Sequence, residues 1–234
     1  MHFHLPKPLH GWREFAGEVT IIVIGVLIAL TAEQAVEAMH WRSGAAEAED
    51  AMKIELADDD APQGFERLAF SPCIDAQLNR LQAALVAERD HGLPFSPAKL
   101  TTPHFFTWDS DAFARSQETG ALSHMATERA YAWSSPYMLM PDIDAAQVRE
   151  QVDYGELQMI DAAPPHPSEQ MRTQLLEAIA KARADNALLT QLAHSFFRYA
   201  GTLHVSFTDA ERNRYVTRDS YLFPACGAYA AART

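Results

Sequence analysis

Residues Gly17–Gln34, GEVTIIVIGVLIALTAEQ, form the one strongly apolar run of the chain. From Val19 to Ala32 the run carries no charge. As a helix that segment covers about 21 Å. A bilayer core needs about 30 Å. Three readings compete: the core of a signal peptide, the central helix of a soluble domain, and a membrane anchor.

A signal peptide fits poorly. The residues before the run include Pro6 and Pro8 and two acids beside two bases. Cleavage after Ala32 would put Leu30 where a small residue is wanted. An uncleaved segment is the expectation. A soluble helix fits no better: a surface one would show a single apolar stripe, and a chain this short rarely has a fully enclosed central helix at its very N-terminus. Ile21, Ile22, Val23, Ile24, Val26, Leu27, Ile28 and Leu30 point in every direction around a helix. The flanks favour lipid. Trp12 and Trp41 are separated by about 43 Å of helix, close to the roughly 40–45 Å of a bilayer with its headgroups. Tryptophan prefers those interfaces, and Arg13 and Arg42 stand beside the two rings as further interface anchors. The span then extends from Phe15 to Val36. Glu18 and Glu33 lie about one turn inside its ends, where an acid can snorkel or pair.

Lysine and arginine near the ends set the expected orientation. Lys7, Arg13 and the amino terminus precede the span, and Arg42 stands alone after it before Lys53. This favours a cytoplasmic N-terminus in a bacterial inner membrane, with a periplasmic body. The expected organisation is a cytoplasmic or interfacial segment at 1–14, a transmembrane helix at 15–36 and an extracytoplasmic domain at 37–234. The net charge is −12, and the charges before Val19 cancel, so the body carries all of it. Such a body repels phosphate backbones, which argues against nucleic acid as a partner. The two cysteines, Cys73 and Cys226, fit no zinc spacing. In an oxidising compartment they would form a disulfide closing a large loop.

The body reads helical nearly throughout, with no sustained period-two alternation. The membrane helix is expected to continue to about Asp58, broken by Pro62 and Gly64. A new helix would start with Ser71 as N-cap and Pro72 in the first turn, and stop at Gly92. Ile74, Leu78, Leu81 and Leu85 give it helical spacing. The Pro-rich stretch Gly92–Phe106 reads as a loop. A helix pair near Asp111–Glu118 and Ser123–Trp133 follows, then a helix stopped by Pro164 and Pro165. A long helix begins at Ser168, and a last one opens with the capping box Thr208–Glu211. The expected fold is all-α, one transmembrane helix followed by an antiparallel helical bundle.

Residues 3–37, FHLPKPLHGWREFAGEVTIIVIGVLIALTAEQAVE, resemble the N-terminal signature of a domain-of-unknown-function group of uncharacterised bacterial single-pass membrane proteins. Its mark is a GE-(apolar)-IGVLIAL helix ahead of a helical extracytoplasmic body. SQETGALSHMATERAYAW, Ser116–Trp133, is similar to a stretch found within a helix pair of those bodies. The resemblance implies topology and a helical fold, and no activity.

Within the span, Glu18, Ile22, Gly25, Ala29, Ala32 and Val36 share one face. Small residues four apart, Gly25 and Ala29, permit close helix approach. The sharp reading is a packing face whose acid pairs with a partner subunit; the bland one is a snorkelling acid on a lone anchor. His2, His4 and His10 match no defensible ligand set. Asp58, Asp59 and Asp60 lack the alternation of a calcium loop and read as a solvated helix end. Trp108, Trp133, Tyr131, Tyr137, Phe105 and Phe106 read as core before pocket. His194 and Ser195 are adjacent on a helix and face apart. No short catalytic signature occurs in the sequence, and no metal or cofactor is expected. The expectation is a non-catalytic membrane-anchored accessory or structural subunit that docks to a membrane protein complex or to its own copies. The alternatives are an anchored ligand-binding or sensor module and an enzyme of unknown chemistry.

Overall fold

A computed structural model of the chain describes residues 11–103, 105, 107–205 and 207–208. Among them every regular element is a helix. The elements are α1 (Trp12–Ile54), a π-helical segment (Glu55–Asp60), α2 (Ala61–His91), α3 (Asp111–Glu118), a short 3₁₀ turn (Ala121–His124), α4 (Thr127–Tyr137), α5 (Met140–Leu157), a second 3₁₀ turn (Gln158–Ala162) and α6 (Glu169–Thr202).

The expected break at Pro62 and Gly64 does not occur. Trp12 to His91 is one helix of 80 residues. The reason lies in the backbone around Asp60. Proline lacks an N–H and crowds the carbonyl four residues earlier. Directly before Pro62, Glu55–Asp60 shift to the wider π spacing, so Pro62 enters in the first turn of α2. Gly64 serves contact rather than interruption. A Cβ there would sit 2.9 Å from Cε2 and Cζ of Phe197 on α6. Pro72 likewise lies inside α2, not at its start. The turn around it is gripped by α6: Asn186 Nδ2 donates to the Ser71 carbonyl at 3.1 Å, and Thr190 Oγ1 donates to Ser71 Oγ at 2.6 Å. Tertiary contact thus overrides two local breakers. At the far end Gly92 takes φ 64°, and its N–H closes the helix on the Glu88 carbonyl at 3.0 Å.

The element at the centre of the body is α6. Ser168 caps it, its hydroxyl accepting from Met171 N at 3.2 Å. Leu175, Ala178, Ile179, Ala182, Leu189, Ala193, Phe196 and Ala200 recur at three- and four-residue spacing and are buried. This stripe meets α2 and α5 along its length and α4 near its end. Two apolar clusters result. One gathers Met52, Leu56, Trp108, Trp133, Tyr137, Ile143 and Phe196 on the side of α1. The other gathers Ile74, Leu78, Leu85, Tyr154, Leu157, Leu175 and Ile179 farther out. Each fully buried aliphatic or aromatic side chain contributes roughly 1.5–3 kcal/mol. The expected helix from Thr208 and its capping partner Glu211 lies outside the described residues but for Thr208.

Gly64→Leu is expected to force the Phe197 ring out of its seat and destabilise the body by about 1–3 kcal/mol. Thermal unfolding followed by circular dichroism checks this. An unchanged midpoint would mean that α2 and α6 are farther apart than described.

Candidate functional site

The residues of α1 that form the apolar run are exposed all round. Ile21 is 73% exposed, Ile22 65% and Ile28 63%. None of its most apolar window is buried against the body. By length and composition α1 can cross a membrane. Thr20 Oγ1 donates to the Ala16 carbonyl at 2.7 Å, and Thr31 Oγ1 to Leu27 at 2.9 Å. Both hydroxyls are thus satisfied within the helix, as lipid requires. Glu18, Ile22, Gly25, Ala29 and Ala32 all lie on this exposed stretch, and a Cβ on Gly25 would meet nothing within 4 Å. Trp12 is 80% exposed and tilts against Phe15, with Arg13 exposed beside it. Trp41 differs: its ring stacks on His124 with centroids 3.7 Å apart. The body therefore meets α1 about five residues beyond Val36, and Arg42 next to it stays exposed. Cys73 is buried and is not a free thiol. Its expected partner Cys226 lies outside the described residues, as do His2, His4, His10 and Phe106.

Between the two apolar clusters lies a polar layer that the sequence reading missed. Arg67 on α2 grips Glu150 on α5 with two hydrogen bonds, 2.9 Å to Oε1 and 2.6 Å to Oε2. The Glu150 side chain is fully buried. Arg67 also donates to Asn186 Oδ1 at 3.2 Å, and Asn186 Nδ2 donates to Asp75 Oδ1 at 2.9 Å. Bidentate geometry of this kind repays part of the desolvation of both charges and fixes how three helices align. Burial beside the Glu150 charge pushes the Tyr154 phenol well above its ordinary range. A cavity of about 30 Å³ adjoins Arg67, lined by Gln63, Glu66, Gln147 and Trp108. That is room for a water or two. The signal was present in the sequence: Glu150 falls between Ala146 and Tyr154, and Asn186 between Ala182 and Leu189, on otherwise apolar stripes. At the outer end Glu88 accepts from Arg172 and lies 3.3 Å from His166, and the Arg172 guanidinium holds its carboxyl below the usual range.

A second polar group sits at the π segment; of the three aspartates expected at a solvated helix end, Asp58 and Asp59 are exposed and Asp60 is not. Asp60 is fully buried and Glu55 nearly so. The segment's extra residue turns them inward. Glu55 Oε2 accepts from Ala112 N at 2.8 Å and so caps α3, whose own Ser110 makes no side-chain cap. Asp60 Oδ1 accepts from Asp109 N at 3.0 Å. The other oxygen of each carboxylate has no hydrogen-bond partner. Burial pushes the Asp60 carboxyl up to about 8, with the charges of Glu55, Asp109 and Asp59 adding to it. Burial pushes Asp59 up as well, with the charges of Asp109 and Asp58 adding to it, and burial beside Glu55 raises the Tyr137 phenol. The aromatic region is core: Trp108, Trp133 and Tyr137 are buried in the first cluster, while Tyr131 is exposed. Among the described residues no group of three or more His, Cys, Asp or Glu could hold a metal ion.

Asp60 links protonation to folding. Its folded value near 8 exceeds the unfolded value near 4, so folding takes up a proton between them. Its contribution is full below about pH 4 and is lost as pH rises through about 8, at up to about 1.4 kcal/mol per pH unit. Asp60→Asn keeps the acceptor for Asp109 N. It is expected to flatten this slope and raise stability above pH 8. Melting temperatures at pH 5, 7 and 9 check it; parallel profiles for the two proteins would show that Asp60 is ionised throughout.

No protein-family model matches the chain, and neither a curated protein nor a solved structure matches it.

Proposed function

We propose that this chain is a non-catalytic, membrane-anchored accessory or structural subunit. On this reading α1 crosses the membrane over residues 15–36 and its N-terminus is cytoplasmic. The body, an antiparallel helical bundle over 37–234, stands in the periplasm. The single observation that carries the reading is the naked apolar stretch of α1, continuous with the body through α2. Water does not tolerate so large an exposed apolar surface without a covering phase or partner. The bilayer covers most of it. The Glu18, Ile22, Gly25, Ala29 and Ala32 face packs on a membrane protein or on a second copy of the chain, where Glu18 finds a partner that satisfies it. In the oxidising compartment Cys73 pairs with Cys226. The resemblance of the N-terminal signature to uncharacterised single-pass membrane proteins points the same way.

Extraction from native membranes in mild detergent, affinity capture of the chain and mass spectrometry of what comigrates test the proposal. A stoichiometric membrane protein, lost on Gly25→Leu or Ala29→Leu, is the expected result. A lone monomer would contradict it and reduce the helix to a tether.

A further inference from the structure

Above the expected membrane surface, α1 and α3 enclose a groove of about 690 Å³. It runs along α1 and the π segment from His40 to Asp59, about 28 Å of helix. A volume of that size spread over that length is shallow, suited to the side chains of a helix laid along it rather than to a compact ligand. Its floor is small and mostly apolar: Gly44, Ala48, Ala51 and Ala112. The Trp41–His124 stack closes the end nearest the membrane.

The charges at the far end are uncompensated. Glu55 and Asp59 line the groove there, with Asp58, Asp109 and Asp111 around them. Among the described residues none of the five is ion-paired, whereas Glu49, Glu88 and Glu150 each meet an arginine. The charges that act on Asp59 are acids alone, Asp109 and Asp58. Glu55 lines this end but is buried and turned inward, so the charges open to the groove are those of the exposed Asp58, Asp59 and Asp109. Arg115 is the basic residue on the α3 wall, one turn nearer the membrane than Asp111.

We propose that the groove between α1 and α3 seats a basic amphipathic helix of the partner subunit, its apolar row on Gly44, Ala48 and Ala51 and its lysines or arginines against the exposed Asp58, Asp59 and Asp109. The proposal rests on the accessory-subunit reading and names the partner's chemistry. The groove begins about four residues past Val36, so a partner's transmembrane helix that continues out of the bilayer reaches it directly. A second copy does not fit. Laid alongside in parallel it would bring its own Glu55, Asp58 and Asp59 to the same height, acid against acid.

The test uses the full chain in detergent micelles and a fluorescent helical peptide of roughly 20 residues, about 30 Å long. The peptide carries a Leu/Ala row and lysines near one end; a matched control has glutamates in their place. The basic peptide is expected to bind, and the control to bind at least about tenfold more weakly. Ala51→Trp, which fills the floor, and Asp59→Asn with Asp109→Asn, which remove open charges, are each expected to weaken binding about tenfold or more. Ala46→Trp, on the opposite side of α1, leaves it unchanged. Raising the salt from about 50 to 500 mM also weakens it. Equal binding of the two peptides, or indifference to Ala51→Trp, would overturn the proposal. So would an oxidative crosslink between two copies carrying Ala51→Cys. A comigrating membrane protein that Ala51→Trp fails to displace would overturn the groove while leaving the accessory function intact.

Discussion

The uninterrupted helix from Trp12 to His91 couples the apolar run to the folded body. An isolated helix of this length holds its direction only if something braces it. Here α6 braces α2 by a stripe of buried apolar residues, and α3 braces the outer part of α1. The π segment between the two halves is the adjustment that makes the continuity possible. It absorbs Pro62 without a break and turns Glu55 and Asp60 toward the interior. Glu55 then caps α3, so the same widening that spares the helix also positions the wall of the groove.

The body's specificity lies in polar contacts set into an apolar frame. Arg67, Glu150 and Asn186 come from three helices and fit only in one alignment. Sliding any helix by one turn would bury an unpaired charge, which costs several kcal/mol. The apolar stripes alone would tolerate such a slip more readily. The polar layer therefore selects the register, and the leucines and aromatics around it supply the burial energy. At the π segment the balance is different. There the acids have backbone donors but no basic side chain, and a proton takes the place of a counter-charge on Asp60.

Much of this was legible in the sequence. Three- and four-residue spacing predicts an all-helical body, Ser168 and Gly92 mark a start and a stop, and the long helix from Ser168 appears as α6. The failures have two causes. Pro62 is absorbed by the π segment just before it, while at Gly64 and Pro72 local propensity was overruled by contacts with residues more than a hundred positions away, Asn186, Thr190 and Phe197. No pattern within ten residues carries that information. In the run of three aspartates, Asp58 and Asp59 are exposed as expected and Asp60 is buried. Its exposure depends on the phase of the helix, and the π turn changes that phase inside the run. The apolar face around Gly25 is open in the single chain, as a face awaiting a partner or lipid must be.

The continuity of the helix through Pro62 and Pro72 is measured most directly by electron–electron distance spectroscopy between spin labels at the exposed positions 43 and 80, with the chain in lipid nanodiscs. One unbroken helix between those labels predicts a single narrow distribution near about 56 Å. A broad or two-peaked distribution, or one centred below about 45 Å, would show a bend or break at the π segment. That result would contradict a rigid connection between the apolar run and the body.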